Sequence, residues 1–204
     1  WLELDEIPNG QLITAMNAIT HFSIEGPIII HNCDTYHQFD IEDLNDFIDD
    51  NLFGIIPCFE AKGDHWSFVK NSKFDNNLAI QVKEKQRISN NCSVGTYIFK
   101  SSSTLRSIFA EYIKNNSNNS DENFIAPIYQ FAIEKNLTVK ILKAKNVKSF
   151  GTPEELLKSF DISFNELLGE NGLNGNNTKT LIVDIDHTIC IKDSFEDYSK
   201  AKPI

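Results

Sequence analysis

Asp34 closes the segment Ile28-Ile29-Ile30-His31-Asn32-Cys33-Asp34, a short β-branched run that follows the turn signal Gly26-Pro27 and reads as a buried strand with a polar end. Open α/β sheets place their ligands at such strand ends. A carboxylate there can coordinate Mg²⁺, which keeps several waters and binds through one or two protein carboxylates plus substrate phosphates. It can equally do no more than cap the following turn. His31 and His37 flank Asp34 without a spacing that demands a metal, and both read as structural or exposed. Glu84-Lys85 places a carboxylate beside an ammonium, but within Val82-Lys83-Glu84-Lys85 the plain reading is an exposed, charged strand end. Asp184-Ile185-Asp186 follows the apolar Leu181-Ile182-Val183, so two carboxylates end another strand-like run.

The elements that must position these residues alternate along the chain. Residues 11–22 have apolar positions at Leu12, Ala15, Met16 and Ile19, which is helical spacing, and 41–51 carry Ile41, Leu44 and Ile48 on one stripe. Residues 53–59, 79–83 and 94–100 read as strands, the last alternating and rich in β-branched and aromatic residues. A helix is predicted over 102–114, a polar loop over 115–123, a helix over 124–136 and a strand over 138–144. Thr152-Pro153-Glu154-Glu155 is a helix start, with a Thr cap, Pro in the first position and Glu three residues after the cap. This alternation predicts an α/β domain with a mixed, mainly parallel sheet and flanking helices over residues 1–168. Gly169–Thr178 (GENGLNGNNT) can hold neither helix nor strand and reads as a linker. Residues 179–204 then open a second α/β domain, Rossmann-like, of which only the first strand is expected.

Composition narrows the function. The chain has 204 residues, 41% hydrophobic and 24% charged, as expected of an ordinary globular protein. No apolar run reaches the roughly 18 residues of a membrane helix. Nineteen basic against 29 acidic residues leave a net charge of −10, which disfavours a nucleic-acid partner, whereas a small phosphate ligand remains accessible through a bridging divalent cation. The four cysteines, Cys33, Cys58, Cys92 and Cys190, form no CxxC pair and follow no export signal, so a reduced, cytoplasmic chain is expected. Trp1 rather than Met at the start suggests that the chain begins within a longer protein. The fifteen Phe residues are core material rather than a base-stacking platform.

The ordered set Gly10-Gln11 before a helix, PIIIHNCD (27–34), VKEK (82–85), VGTYIF (94–99) and GTPEEL (151–156) resembles the sugar-phosphate nucleotidyltransferases. HWSFVK (65–70) and ENFIAPIYQ (122–130) look most like the branch found in bacterial capsule and surface-polysaccharide loci. The resemblance implies a nucleotide-diphospho-sugar transferase-like fold that uses Mg²⁺, a nucleoside triphosphate and a phosphorylated sugar or polyol. It further implies that Asp34 binds metal and that Glu84 accepts sugar hydroxyl hydrogen bonds. Lys85 would face the sugar phosphate, Gly95 would let backbone meet the sugar, and Gly10 would belong to the loop approaching the nucleobase. Two departures stand out. The family's Gly-rich loop with an Arg and a later Lys would precede Trp1, and its second metal-binding Asp falls on Ser149, a poorer ligand.

Asp184-Ile185-Asp186-His187-Thr188, after its apolar strand, resembles the DxDxT first motif of the haloacid dehalogenase superfamily of phosphatases. The resemblance implies that Asp184 is a nucleophile, Asp186 a general acid and then base, and that both help hold Mg²⁺. That superfamily's later motifs would lie beyond Ile204. The expectation is therefore a bifunctional enzyme of surface-polysaccharide synthesis, of which this 204-residue chain alone would be inactive. A nucleotide-sugar-dependent glycosyltransferase and a catalytically inactive binding or scaffold module of the same fold are the alternatives. The nucleobase, the sugar or polyol and the oligomeric state are not legible.

Overall fold

The computed structural model describes residues 3–4, 6–40, 42, 44, 50–116 and 122–160, together with the backbone of two short strands, 190–191 and 202–203. The chain divides into two compact units, one of residues 1–32 and 37–146, the other of 33–36 and 147–204.

The first unit is built on β3 (Leu52–Glu60), whose first seven residues are all buried. One edge of β3 pairs in parallel with β8 (Thr138–Lys143). The other edge is shared by β6 (Asn91–Ser93) and β7 (Thr96–Phe99), both antiparallel to it. β1 (Ile28–His31) extends the sheet beyond β7, and β4 (Ser67–Asn71) and β5 (Ala79–Glu84) extend it beyond β6. A separate two-stranded sheet pairs β2 (Thr35–Gln38) with β9 (Lys145–Ser149), of which residues 35–36 and 147–149 are counted in the second unit. Three helices complete the unit: α1 (Gln11–His21), α2 (Ser102–Asn115) and α3 (Ala126–Glu134).

Alternation along β7 divides the core. Tyr97 and Phe99 join the larger cluster with Leu12, Met16 and Ile19 of α1, Leu105 of α2, and Ile128 and Tyr129 of α3. Ile98 joins a smaller cluster with Leu52, Ile55 and Leu142. In α1 the buried positions are four and three residues apart, as the sequence spacing requires. Phe53, Phe99 and Tyr129 meet with ring centroids 4.9–5.5 Å apart.

The α/β class, the mixed sheet and the flanking helices are as expected, but the direction of pairing is not. Among the described strands only β3–β8 is parallel. Strands buried on both faces read alike in either direction, and the short β4–β5 connection enforces an antiparallel pair. The triple Ile of β1 also differs from expectation. β1 ends the described sheet, and Ile29 is 58% exposed rather than covered on both faces. Short β2, β4, β6 and β9 were not marked by periodicity. Apart from Glu42, Leu44, Asp50 and Asn51, the predicted helix over 41–51 lies outside the described residues.

In the second unit α4 (Pro153–Ser159) starts as the sequence predicts: Thr152 Oγ1 accepts from the Glu155 N–H, and Glu155 accepts from the Thr152 N–H. The linker 169–178 and the strand Leu181–Asp184 lie outside the described residues. Short β10 (Cys190–Ile191) and β11 (Lys202–Pro203) pair antiparallel.

Gly54 of β3 is the tightest point of the sheet. A Cβ there would stand 2.2 Å from the Ile98 carbonyl oxygen and 3.0 Å from the Tyr129 ring. That same oxygen accepts the Tyr129 hydroxyl at 3.0 Å. Gly54→Ala should therefore destabilise the fold by about 3 kcal/mol or more, since backbone and a buried ring must both move. Urea unfolding measures it, and an unshifted midpoint would contradict the analysis.

Candidate functional site

A cleft of about 660 Å³ opens in the first unit at the start of α1. Gly10, Gln11 and Thr14 line it from one side, His31 and Asn32 from the end of β1, and Glu122 from the segment before α3. Gly10 has φ of +99°, and a Cβ on it would lie 2.5 Å from the Asn123 amide nitrogen. The Leu12 N–H donates to the Asn123 carbonyl at 2.9 Å, and the Asn123 N–H to the Asn9 carbonyl at 3.2 Å. The cleft wall thus exists because glycine lets two backbone segments lock together. This close approach is a physical reason for Gly10 that the sequence does not reveal.

Gly95 has a comparable role below the cleft's rim. It lies in the break between β6 and β7 rather than within a strand, as the sequence suggests, and its φ is +75°. An added Cβ would meet Asn32 Nδ2 at 2.8 Å, and the Gly95 carbonyl accepts the Asn32 N–H at 2.9 Å. Glycine here seats Asn32 at the cleft.

Glu84 ends β5 as a half-buried carboxylate, not as the solvated residue its charged neighbours suggest. Ser67 Oγ donates to it at 2.5 Å and lies 3.3 Å from the buried Tyr97 hydroxyl. Burial pushes the Glu84 carboxyl above its ordinary value, and Glu122 adds to the rise; the Ser67 hydrogen bond and the Lys85 charge oppose it. Lys85 takes a left-handed φ of +50°, its N–H donates to the Trp66 carbonyl at 3.0 Å, and its ammonium sits 4.3 Å above the Phe124 ring. The ring fixes an exposed cation beside a carboxylate. Ser67, Tyr97 and Phe124 carry no sequence signal for this grouping, because register and helix packing bring them in.

In the second unit Asp34 meets residues of the GTPEEL segment. Its carbonyl accepts the Phe150 N–H at 2.8 Å, and Thr35 Oγ1 donates to its carboxylate at 3.2 Å. Asp34 Oδ2 and Glu155 Oε2 lie 3.2 and 3.7 Å from where a Cβ of Gly151 would stand, so glycine leaves a cradle between two carboxylates. Ser149 Oγ donates to Glu155 Oε2 at 3.0 Å, which commits its proton to that carboxylate. Among the described residues no three His, Cys, Asp or Glu side chains form a metal cage. Two carboxylates open on one side do fit Mg²⁺ held jointly with phosphates. Glu155 was legible as a helix-capping residue only. Asp184 and Asp186 lie outside the described residues.

No protein-family profile and no curated protein matches the chain. Solved structures do. The nucleoside-diphosphate-sugar pyrophosphorylase from Vibrio cholerae RC9 is 26% identical, with a TM-score of 0.66 over 78% of this chain and 67% of that one. A protein described as a glucose-1-phosphate thymidylyltransferase from Bacillus anthracis, in complex with a sucrose, is 15% identical with a TM-score of 0.60 over 78% and 65%. The inositol-1-phosphate CTP transferase from T. maritima is 12% identical with a TM-score of 0.53 over 76% and 64%. The last two show a shared fold. The chain spans about two thirds of the length of each. No helix among the described residues is long and apolar enough to cross a membrane.

The Glu84 environment gives a pH-dependent prediction. Its folded carboxyl titrates above the unfolded one, so ionised Glu84 costs stability above the folded value, and that cost vanishes as pH falls below the ordinary 4.5. Glu84→Gln, which keeps an acceptor for Ser67, should raise the melting temperature at neutral pH and lose this advantage in acid. An advantage that grows on acidification would contradict the assignment.

Proposed function

We propose that this protein transfers a nucleotidyl group from a nucleoside triphosphate to a phosphorylated sugar or polyol. A phosphate oxygen of the acceptor attacks the α-phosphorus, the bond from that phosphorus to the bridging oxygen breaks, and pyrophosphate leaves with the electron pair. The observation that carries this reading is the 26% identity, over 78% of the chain, to a nucleoside-diphosphate-sugar pyrophosphorylase structure.

The chemistry of the side chains supports it. Such a reaction asks little covalent work of the protein and much positioning and charge neutralisation. Mg²⁺, when bound, would offset the charge of the reacting phosphates. Asp34 would hold it, with Glu155 supplying the second carboxylate where Ser149 stands in place of Asp. Glu84 accepts hydroxyl hydrogen bonds of the acceptor, and its partly buried position strengthens them. Lys85 faces the acceptor phosphate. Gly10 and Gly95 let backbone approach the nucleobase and the sugar.

The resemblance of 65–70 and 122–130 to the capsule branch supports a place in surface-polysaccharide synthesis. The DxDxT sequence at 184–188 supports a second, phosphatase-type activity in which Asp184 is the nucleophile and Asp186 the acid and base.

Pyrophosphate release by the full-length protein, assayed over a panel of nucleoside triphosphates and sugar or polyol phosphates, tests the main reading. Asp34→Asn should cut turnover by about a hundredfold or more with the fold intact. With the bound acceptor shielding Lys85 from water, Lys85→Ala should raise the barrier by roughly 2–4 kcal/mol. Failure of every pair to release pyrophosphate, or a mutant as active as the native protein, would overturn it. Phosphate-ester hydrolysis abolished by Asp184→Asn would support the second activity, and hydrolysis unaffected by it would refute that assignment.

A further inference from the structure

His31 and His37, read from sequence as structural or exposed, share one hydroxyl. Thr96 Oγ1 lies 2.7 Å from His31 Nδ1 and 2.6 Å from His37 Nε2. His31 and Thr96 face each other across β1 and β7, and the two imidazole centroids are 5.5 Å apart. Thr96 is 2% exposed, so its hydroxyl hydrogen has to find a protein acceptor. A hydroxyl carries one hydrogen, and therefore donates to one ring and accepts from the other.

Two arrangements satisfy this, and His37 separates them. His37 Nδ1 is buried without a hydrogen-bond partner. If Thr96 donated to His37, the His37 proton would sit on Nδ1 as an orphaned buried donor. If His37 Nε2–H donates to Thr96, Nδ1 is an unprotonated lone pair, the less costly of the two, since orphaned buried N–H groups are rarer than under-used acceptors. Burial, and then the neighbouring His31, keep the His37 pKa below its ordinary value, consistent with a neutral ring. Thr96 then donates to His31 Nδ1, which places the neutral His31 proton on Nε2. His31 is exposed, lines the cleft, and Nε2 has no hydrogen bond among the described residues.

We infer that the chain His37–Thr96–His31 fixes His31 as an Nε2–H donor to an oxygen acceptor, phosphate or hydroxyl, of the ligand in the cleft, with Thr96 and His37 as positioning residues. The identity of that ligand rests on the nucleotidyltransferase reading; the proton arrangement does not. Long-range ¹⁵N–¹H correlation spectra of the full-length protein at about pH 8 read the arrangement directly. His31 should show a pyridine-like Nδ1 and a protonated Nε2, and His37 a slowly exchanging Nε2–H. That resonance should persist in Thr96→Ser and disappear in a folded Thr96→Val. A His31 proton on Nδ1, or a His37 resonance indifferent to Thr96→Val, would overturn the relay.

Calorimetry with the four ribonucleoside triphosphates and glucose 1-phosphate reads the ligand half. His31→Ala should weaken the probe that binds by about tenfold, and His31→Gln should restore most of it, since its amide can donate from a similar place. Unchanged binding by His31→Ala would overturn the donor role. Native protein that binds none of these probes would overturn the ligand reading of the cleft, while the spectra would still decide the relay.

Discussion

The close contact between Gly54 and the Ile98 carbonyl is the constraint on which the first unit depends. β3 is the one described strand with partners on both edges for most of its length, parallel β8 on one side and β6 followed by β7 on the other. Drawing β7 against it leaves no room for a Cβ at position 54. Beside that close approach the Ile98 carbonyl accepts the buried Tyr129 hydroxyl. Tyr129 in turn packs against Phe53 and Phe99, so one glycine joins sheet to helix α3.

From that fixed strand the polar groups of interest follow by register. Thr96 and Tyr97 are neighbours on β7 and point to opposite faces. Thr96 reaches His31 and His37, and Tyr97 reaches the Ser67–Glu84 pair between β4 and β5. Both groups place polar atoms at the margin of a tightly packed core, where hydrogen bonds are stronger than in water and mispairing is expensive. Their geometry is therefore set by the fold itself.

Charge adds a second requirement. A chain of net charge −10 repels polyphosphates unless cations are placed locally. In the first unit Lys85 is held over the Phe124 ring, and in the second the Asp34 and Glu155 carboxylates flank Gly151, a donor type that suits Mg²⁺. An acidic composition is thus compatible with a phosphate ligand, because paired carboxylates are what a bridging divalent cation would need.

The sequence by itself determined the α/β class, the helices at 11–21, 102–115 and 126–134, the capped start of α4, and the strands whose apolar runs are long enough to show a period. It also singled out Asp34, Glu84, Lys85, Gly10 and Gly95, through their order in a recognisable series of motifs. The elements are local properties, written in side-chain periodicity and capping chemistry within a few residues, whereas those five residues were marked by the family resemblance. Tertiary structure alone decided the rest. Strand direction was invisible because a strand covered on both faces has the same composition whichever way it runs. Ser149 stood out as a poor ligand, but that Glu155, six residues on, accepts its hydrogen bond and faces Asp34 across Gly151 depends on how a turn folds. The partners of His31 are 65 and six residues away, and only the β1–β7 register and the path of β2 bring them to a single hydroxyl. Such contacts join segments distant in sequence, and no local pattern records a distance that exists only after the chain has closed.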